Sequence, residues 1–300
     1  MYDIAIIGGG PAGLTAALYA LRAGKKVLII EKSAFGGQIT FSPKVENIPG
    51  FTEISGNEFA EKMVDQVISQ GGEFEMAEVT AIRGGEVKIL ETDAGEYRAK
   101  AVIIATGAKH RVLGLDNEQN LIGNGISFCA VCDGAFFAGK TVGVVGGGNS
   151  ALQEAVLLAE TCRRVIIFQN LDRLTGEDKL VRQLQKKSNV EVLTGCTVQS
   201  YVGDRELSGI VVARNGKEEL YNLDGLFLAV GLEPQNGNFA SFVRLDERGY
   251  IDADESCMTS AEGVFTAGDC RRKKIRQVAT AAADGAVAAL AACDYIDNNL

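Results

Sequence analysis

Two cysteines separated by two residues, Cys129 and Cys132, carry the clearest chemical signal in the sequence. Sulfurs at this spacing can close a small ring that is readily reduced and formed again. One thiol would attack the disulfide of a partner, and the other would resolve the mixed disulfide. Asp133 follows directly and is a candidate to move protons in these thiolate steps, although an acid in a surface loop is the simpler interpretation. The pattern predicts a catalytic redox dithiol.

A zinc site is the alternative interpretation of such a pair, and the rest of the sequence argues against it. Zinc needs four ligands, usually completed by a second cysteine pair or by histidines. The chain has one histidine, His110, to which we assign no role. The remaining cysteines are scattered singly, which predicts small buried thiols and no metal site. These cysteines are Cys162, Cys196, Cys257, Cys270 and Cys293.

A glycine-rich turn near the N-terminus indicates where a dinucleotide would bind. The apolar run Tyr2–Ile7 predicts a strand, Gly8–Gly13 reads Gly-Gly-Gly-Pro-Ala-Gly, and helical spacing follows as far as Gly24. A second apolar strand ends in Glu31, 18 residues after the last glycine of the turn. In such a βαβ unit a pyrophosphate approaches the backbone at the helix N-terminus, and the acid accepts hydrogen bonds from ribose hydroxyls.

The same pattern recurs 138 residues later and predicts an internal duplication. A strand predicted for Lys140–Val145 leads into Gly146–Ala151, and a second strand, Arg164–Phe168, follows the intervening helix. Alanine in place of the third glycine is an accepted variant. We therefore predict an α/β protein with two Rossmann-like dinucleotide-binding domains, each a doubly wound, three-layer fold.

The C-terminal region starts no third copy and is expected to complete the first domain. Gly263–Asp269 reads as a strand that ends in a turn with a carboxylate, and an alanine-rich helix is predicted for Val278–Tyr295. The apolar residues of this helix run nearly all round, which predicts burial against a sheet. The second domain is therefore predicted to be an insertion. Its expected range is residues 111–235, including the dithiol, and the first domain comprises residues 1–110 and 236–300.

Composition excludes several classes of protein. The 300 residues are 46% hydrophobic and 23% charged, which is typical of a globular protein with a sizeable core. A net charge of −9 would repel phosphate backbones, so we expect no nucleic-acid partner. No segment reaches the roughly 18 continuous apolar residues of a membrane span, and no basic region precedes the first apolar run. We therefore expect a cytoplasmic protein with no membrane partner, in which a cycling cysteine pair is catalytic.

Short motifs along nearly the whole chain carry a specific resemblance. They are Gly8–Gly13, Gly36-Gly37-Gln38, Val45-Glu46-Asn47 with Pro49-Gly50, Ala105-Thr106-Gly107, Cys129–Gly134, Gly146–Ala151, Gly268-Asp269 and Arg276-Gln277. Together they resemble the low-molecular-weight bacterial thioredoxin reductases. The resemblance implies a homodimeric flavoprotein that reduces thioredoxin or a thioredoxin-like protein. It also implies that Cys132 is the sulfur nearest the flavin and that Cys129 attacks the substrate.

The resemblance further implies that the first domain binds FAD. Gly8–Gly13 would hold the pyrophosphate, Glu31 the adenosine ribose and Asp269 the ribityl chain. Gln38 and Asn47 would lie by the isoalloxazine ring. The full set of implied cofactor-binding residues is Gly8, Gly10, Pro11, Ala12, Gly13, Glu31, Lys32, Gly36, Gly37, Gln38, Asn47, Thr106, Gly107, Gly268, Asp269, Arg276, Gln277 and Val278.

The second domain departs from the family where the family binds NADPH. A basic HRRxxxR run holds the 2′-phosphate in the family, and its three arginine positions fall here on Asn170, Leu171 and Thr175. Each charge-assisted contact typically contributes about 1.5–3 kcal/mol, so the preference for a 2′-phosphate is lost. Arg173 is out of register. Gln169 occupies the position where an NADH-binding domain has an acid, and its neutral amide leaves weak NADH binding open.

Reduced ferredoxin is the favoured electron donor on these grounds, because some relatives that lack the basic run use it. Plant-type ferredoxins lie near −400 mV and thioredoxin near −270 mV, so the transfer is downhill by about 130 mV. The segment Arg271–Arg276 places five cations in six residues. Such a patch could steer an acidic carrier, and a solvated loop is an equally good interpretation.

Three other functions stay open at the level of sequence. The enzyme could use NADPH or NADH through non-standard contacts. It could instead be a flavin dithiol oxidase that passes electrons from a small dithiol to oxygen. A flavin-binding redox sensor is the fourth possibility, and the dithiol beside a complete set of FAD motifs argues against it.

Overall fold

The computed structural model describes residues 1–42 and 45–299. They form two compact units, Met1–Lys109 with Glu233–Leu300, and His110–Leu232. The second unit is thus inserted into the first, in agreement with the predicted fold class. The assignment of FAD to one unit and of a pyridine nucleotide to the other stays a prediction.

The chain begins with the βαβ unit expected from the sequence. It consists of β1 (Tyr2–Ile7), α1 (Pro11–Arg22) and β2 (Val27–Glu31). Pro11 suits the first position of α1, where its missing N–H would have no intrahelical partner. The elements that follow are α2 (Gly56–Ser69), β3 (Glu73–Met76), β4 (Val79–Gly84), β5 (Lys88–Thr92), β6 (Gly95–Ile104) and β7 (Ala108–His110).

The inserted unit carries the second glycine turn between β9 and α5. Its elements are α3 (Glu118–Leu121), β8 (Ile126–Ser127), α4 (Ala130–Asp133), β9 (Thr141–Val145), α5 (Asn149–Leu158), β10 (Arg164–Phe168), α6 (Asp178–Gln185), β11 (Val190–Leu193), β12 (Cys196–Val202), β13 (Gly209–Arg214), β14 (Lys217–Asn222) and β15 (Gly225–Leu228). The next strand, β16 (Leu232–Pro234), begins where the chain returns to the first unit. Where the chain crosses between the units, β7 and β16 form a two-stranded sheet. The chain then ends with β17 (Val264–Thr266) and α7 (Val278–Asn299).

Four parallel strands of each unit follow the same order, as the predicted duplication requires. Within the described residues, the parallel strands of the first unit follow the order β3-β2-β1-β6-β17, and those of the second follow β11-β10-β9-β15-β8. In the first unit β5 pairs with β6 and β4 pairs with β5, both antiparallel, and the two strands extend the sheet. In the second unit β12, β13 and β14 form a separate antiparallel sheet. In each unit the strand that leads into the glycine turn, β1 or β9, lies at the centre of its parallel array. The edge strand is the last strand of the first unit, β17, and the first strand of the second, β8.

Burial explains why the central strands are apolar on both faces. Ile4, Ile6 and Ile103 are fully buried, because parallel strands in such folds are covered by helices or loops on each side. The C-terminal helix α7 packs on α1 and on β6, as predicted for a helix buried against a sheet.

The burial of α7 is one-sided. Val287 and Leu290 remain 41% and 50% exposed on its outer face. Among the described residues, α7 alone has the length and composition of a bilayer-spanning helix, and 44% of that stretch is buried inside the fold.

Candidate functional site

The cysteine pair lies at the carboxyl end of β8, and its sulfurs are bonded to each other. Cys129 caps the short helix α4, where its sulfur accepts a hydrogen bond from the backbone N–H of Cys132 at 3.2 Å. The two Cα atoms are 5.3 Å apart, which suits a disulfide. Both cysteines are half-buried, whereas Val131 between them is 60% exposed. The five other cysteines are buried free thiols, as predicted.

Asp133 presents one bonded and one unbonded carboxylate oxygen. Oδ2 accepts a hydrogen bond from the Ser127 hydroxyl at 2.6 Å. Oδ1 is buried and has no hydrogen-bond partner among the described residues. Burial raises the pKa of this carboxyl, and the hydrogen bond from Ser127 opposes the rise. A carboxyl whose pKa is raised in this way can serve as a proton donor to a neighbouring dithiol.

A second half-buried acid of the same unit, Glu154 on α5, was missed by the sequence reasoning. Its Oε2 has no partner among the described residues, and burial raises its pKa to about 8. The helix that carries it packs against α4, and Leu158, one turn further along, approaches Gly134. A glutamate within an amphipathic helix gives no sequence signal that separates it from a solvated one.

The first glycine turn has no room for side chains at Gly8 and Gly13, where it meets the sheet and α1, and is packed less tightly at Gly10. A Cβ on Gly8 would lie 2.3 Å from the carbonyl oxygen of Ala105, and Gly8 also has a φ of +109°. A Cβ on Gly13 would lie 1.9 Å from the carbonyl oxygen of Gly8. At Gly10, by contrast, the nearest atom would be 3.8 Å away. The turn can therefore pack tightly and still receive a pyrophosphate at the N-terminus of α1.

Glu31 reaches back to this turn from the end of β2. Its Oε2 accepts a hydrogen bond from the backbone N–H of Gly9 at 2.8 Å, and its Oε1 accepts one from the N–H of Ser33 at 2.9 Å. With Gly8, Lys32 and Thr106, it lines one groove of the first unit. The structure thus brings together four of the residues predicted to bind FAD.

Other predicted cofactor residues also meet at this turn. Gly37 packs against Gly10, and a Cβ on Gly268 would lie 2.8 Å from the Cβ of Ala12. Thr106 donates a hydrogen bond to Oδ1 of Asn236 at 3.0 Å, and the buried Asn236 was not predicted. Gly36, Gly37, Gly107 and Gly268 all have positive φ, which explains glycine at these turns.

The predicted flavin-ring residues are partly assembled. The amide nitrogen of Asn47 donates to Oε1 of Gln277 at 3.3 Å, whereas the Gln38 side chain donates to the Ala108 carbonyl. Val278 begins α7 and packs against a small apolar cluster that includes Val45 and Ile48.

The turn at Gly268–Cys270 holds Asp269 in an unusual environment. Its Oδ1 is buried and has no partner among the described residues. Burial raises the pKa of this carboxyl, against the opposing charges of Lys273 and Arg276. The Arg276 guanidinium donates to the Asp269 carbonyl and stacks 4.2 Å from the centre of the Tyr250 ring. A buried acceptor without a partner is the feature expected of a group that contacts a bound hydroxyl-rich chain.

The basic segment Arg271–Arg276 is largely folded inward, and the expectation of a five-cation surface patch was wrong. Arg271 is 2% exposed and binds Asp284 on α7 through Nε at 2.9 Å and Nη2 at 2.8 Å. The ammonium of Lys273 binds the same carboxylate at 2.8 Å. Within the segment Arg271–Arg276, the exposed cations are Arg272 and Lys274. The sequence shows the charges but not the buried acid that neutralises them.

The second glycine turn repeats the first, with an amide in place of the acid. A Cβ on Gly146 would lie 2.6 Å from the Ala229 carbonyl oxygen, the counterpart of the Gly8 contact. The buried Gln169 side chain lies over Gly147, and its Nε2 donates to the carbonyl of Arg173 at 3.1 Å. The backbone N–H of Thr175 donates to the Gly147 carbonyl at 2.8 Å. The loop that carries the arginines of the family thus folds onto this turn.

Among the described residues no group of three or more His, Cys, Asp and Glu side chains is arranged to hold a metal ion. His110 stacks on Phe128 with ring centres 4.6 Å apart, and burial lowers its pKa to about 4. A neutral, stacked imidazole is consistent with a packing role.

Comparison with known proteins gives matches along the whole chain. The model of the pyridine nucleotide-disulphide oxidoreductase family matches residues 2–285. A thioredoxin reductase of Listeria monocytogenes is 40% identical over 301 residues, covering 99% of this chain and 94% of that protein. A Clostridium pasteurianum protein described as a 34.2 kDa protein in the rubredoxin operon is 42% identical over 299 residues, covering 98% of this chain and 97% of that protein.

A solved structure agrees with these relatives. The crystal structure of thioredoxin reductase from Streptococcus pyogenes matches with a TM-score of 0.94 and 38% identity, covering 99% of this chain and 98% of that chain. The matched family, the full-length relatives and the bonded cysteine pair agree with one another. The chain therefore belongs to the low-molecular-weight thioredoxin reductase family of the pyridine nucleotide-disulphide oxidoreductases and is a flavin-dependent disulfide oxidoreductase.

Proposed function

We propose that this chain is an FAD-dependent thioredoxin-disulfide reductase that passes electrons from flavin to the Cys129–Cys132 pair and then to thioredoxin or a thioredoxin-like protein. The observation that carries the proposal is the half-buried disulfide at α4, followed directly in the chain by Asp133, whose Oδ1 is buried and unbonded. The names of the Listeria and Streptococcus relatives support thioredoxin as the substrate.

The first unit fits FAD in three respects. Gly10 at the start of α1 is partly exposed and free of close contacts, Glu31 and Lys32 line the adjoining groove, and Asp269 has a buried oxygen that lacks a donor. A ribityl hydroxyl could provide that donor. Bound FAD would supply a carrier that accepts electrons singly or in pairs and delivers two to the disulfide.

The cysteines and Asp133 would then carry out thiol–disulfide exchange. The Cys129 thiolate attacks the substrate disulfide, which forms a mixed disulfide and releases one substrate thiolate. Asp133 gives its proton to that thiolate and then takes the proton of the Cys132 thiol. The Cys132 thiolate attacks the Cys129 sulfur, closes the bridge and releases the second substrate sulfur as a thiolate. Asp133 is protonated again at the end of the cycle.

Reduced ferredoxin is the donor that we propose. The loop after β10 offers a 2′-phosphate the side chains of Asn170, Leu171 and Thr175, none of which carries a charge. Gln169 cannot act as the ribose-binding acid that Glu31 provides in the first unit. The inward folding of Arg271 and Lys273 removes much of the docking patch, so the proposal rests on the divergent nucleotide loop.

The donor can be identified by anaerobic stopped-flow reduction of the flavin, followed in its visible absorption band. We expect reduced ferredoxin to bleach the flavin much faster than NADPH or NADH does. Equally fast bleaching by NADPH would contradict the unusual donor and leave the reductase intact. A purified protein without flavin colour would contradict the proposal as a whole.

An NAD(P)H-dependent reductase is the second candidate, and the intact second glycine turn favours it. Gly146 keeps its tight approach to Ala229, and α5 begins at Asn149 as α1 does at Pro11. A glutamine amide can still hydrogen-bond a ribose. Fast bleaching by NADH alone in the same experiment would favour this candidate.

A flavin dithiol oxidase is distinguished by its second substrate. Such an enzyme would turn over a small dithiol with oxygen and without thioredoxin. We expect slow oxygen consumption with dithiothreitol and fast reduction of thioredoxin once the flavin is reduced. The opposite order of rates would contradict the reductase.

We further propose a cytoplasmic homodimer. The exposed apolar side chains of Val287 and Leu290 on α7, with alanines at 279, 283 and 286 on the same side, would gain from burial against a second copy. Sedimentation equilibrium should give twice the mass of the chain. A monomer at micromolar concentration would contradict the dimer.

A further inference from the structure

Ser127 links the two chemical groups of the dithiol site. It is the last residue of β8 and is 6% exposed. Its hydroxyl lies 2.6 Å from Oδ2 of Asp133 and 3.1 Å from the backbone nitrogen of Cys129. No sequence motif marks this serine, because its role depends on the fold of the turn between β8 and α4.

The direction of these two hydrogen bonds follows from the chemistry of the groups. A backbone N–H can only donate, so the serine oxygen accepts from Cys129. The single hydroxyl proton is then available for Oδ2 of Asp133. This arrangement occupies Oδ2 and leaves Oδ1 as the oxygen without a partner. A proton held by a neutral Asp133 would therefore reside on Oδ1.

We propose that Ser127 is a positioning residue that orients Asp133, so that the proton exchanged with the dithiol is carried on Oδ1. The inference rests on the proposed role of Asp133 as the proton donor. Over one reductive cycle Asp133 gives one proton to the first leaving thiolate and receives one from the Cys132 thiol. Ser127 keeps its own proton throughout and controls only the orientation of the carboxyl.

The surroundings make this orientation important. Glu154 is the other titratable group on α4 and on the helix α5 packed against it, and Cys129 and Cys132 titrate only once their bridge is open. Burial raises the pKa of Asp133 and the Ser127 hydrogen bond lowers it. Removal of the hydroxyl should therefore disturb the orientation of the acid and also raise its pKa.

The test measures how fast dithiothreitol opens the Cys129–Cys132 bridge in the FAD-loaded protein across pH. Samples are quenched in acid and alkylated, and the number of blocked thiols is read by mass. Each rate is divided by the fraction of dithiothreitol present as thiolate. For the wild type we expect this corrected rate to fall as pH rises through the pKa of Asp133.

Ser127→Ala should lower the low-pH plateau about tenfold, a modest part of the usual general-acid contribution, and move the fall to higher pH. Ser127→Thr, which keeps the hydroxyl, should restore both. Asp133→Asn should make the corrected rate low and independent of pH. Adding Ser127→Ala to Asp133→Asn should change the rate less than about twofold, because a residue that acts through the Asp133 carboxyl has no further effect once that carboxyl is gone.

Each outcome has one reading. An unshifted profile in Ser127→Ala would overturn the positioning role while leaving Asp133 as proton donor. A full tenfold loss in the double variant would also overturn it, because Ser127 would then act through Cys129 alone. If Asp133→Asn leaves the profile unchanged, the proposed proton donor is wrong and the inference fails with it. Equal FAD content and circular dichroism among the variants provide the folding control.

Discussion

Cys132 is the residue at which cofactor binding and catalysis should separate most cleanly. We expect Cys132→Ser to retain FAD and to lose thioredoxin reduction by at least about a thousandfold, as catalytic nucleophile losses do. The reason is that Cys129 can still attack a disulfide but has no partner to release it. Steady-state thioredoxin reduction and the flavin absorbance ratio measure the two properties.

Cys162→Ser is the matched control, because this thiol is buried and free. It should keep both properties. Substantial turnover in Cys132→Ser would contradict the relay through the cysteine pair, and a colourless Cys132→Ser protein would show that the substitution acts on folding.

Glu154 should make stability depend on pH. Burial raises its pKa from 4.5 to about 8, so the native state holds a proton that the unfolded chain releases above pH 4.5. The contribution of this bound proton to the free energy of unfolding is complete below pH 4.5. It declines above pH 4.5 and is lost as pH rises through about 8. Each pKa unit corresponds to about 1.4 kcal/mol. Glu154→Gln should therefore raise the melting temperature more at pH 9 than at pH 5.

Thermal unfolding at both pH values measures this effect. Glu218→Gln replaces an exposed acid of the same unit and should change the melting temperature little at either pH. Equal effects of Glu154→Gln at the two pH values would contradict a raised pKa.

At the residue scale, the sequence predicts residues that the backbone geometry requires and misses residues whose role depends on side-chain contacts. The strained or crowded positions Gly8 and Gly13 were predicted because only glycine fits there. Ser127 and Asp284 were not predicted, because their importance lies in contacts that exist only after folding. Asp284 is 13 residues from Arg271 in the chain, and this spacing does not predict their bidentate ion pair.

At the scale of elements, α7 supports the predicted flavin turn through Asp284. This carboxylate accepts hydrogen bonds from the Gly268 N–H at 3.0 Å, from Arg271 and from Lys273. Burial would raise the pKa of Asp284, but the two cations lower it overall, so it is ionised. We expect Asp284→Asn to cost about 3–5 kcal/mol, as for other broken buried ion pairs, and to weaken FAD retention.

Melting temperature and the FAD fraction retained after gel filtration test this prediction. Asp294→Asn alters an exposed acid of the same helix and should leave both unchanged. A lower melting temperature with full FAD retention would limit Asp284 to a structural role away from the flavin turn.

The glycine turns explain why the parallel sheets could be predicted and the other elements could not. Each turn marks one strand–helix–strand unit, and two such units establish the duplication. The antiparallel strands β4, β5 and β12–β14 carry no comparable motif, because their pairing depends on neighbours distant in sequence. The inward fold of the basic segment escaped prediction for the same reason.

The end of β10 should determine nucleotide affinity in the second unit. Gln169 covers Gly147 much as Glu31 covers Gly9, but only Glu31 carries a charge. We expect Gln169→Glu to tighten NADH binding about tenfold, the effect of one charge-assisted hydrogen bond, and to leave NADPH weak. Titration of nucleotide fluorescence with the oxidised protein measures both.

Leu171→Arg is the matched variant, since it restores a cation at a position where the family binds the 2′-phosphate. It should improve NADPH binding and leave NADH unchanged. If neither substitution changes either affinity, the second glycine turn serves packing alone.

At the scale of the whole molecule, a net charge of −9 opposes an acidic electron carrier, so docking depends on local cations. In the basic segment only Arg272 and Lys274 are exposed, and Arg272 is already paired with Asp252 at 3.0 Å. If ferredoxin docks there, flavin reduction should slow as salt increases, because screening weakens the attraction.

The double variant Arg272→Gln with Lys274→Gln should reduce the low-salt rate about three- to tenfold and flatten the salt dependence. Lys179→Gln with Lys186→Gln makes the same change of charge on exposed residues of the inserted unit and should leave the rate almost unchanged. Equal slowing by the two double variants would mean that total charge, and not this segment, controls the encounter.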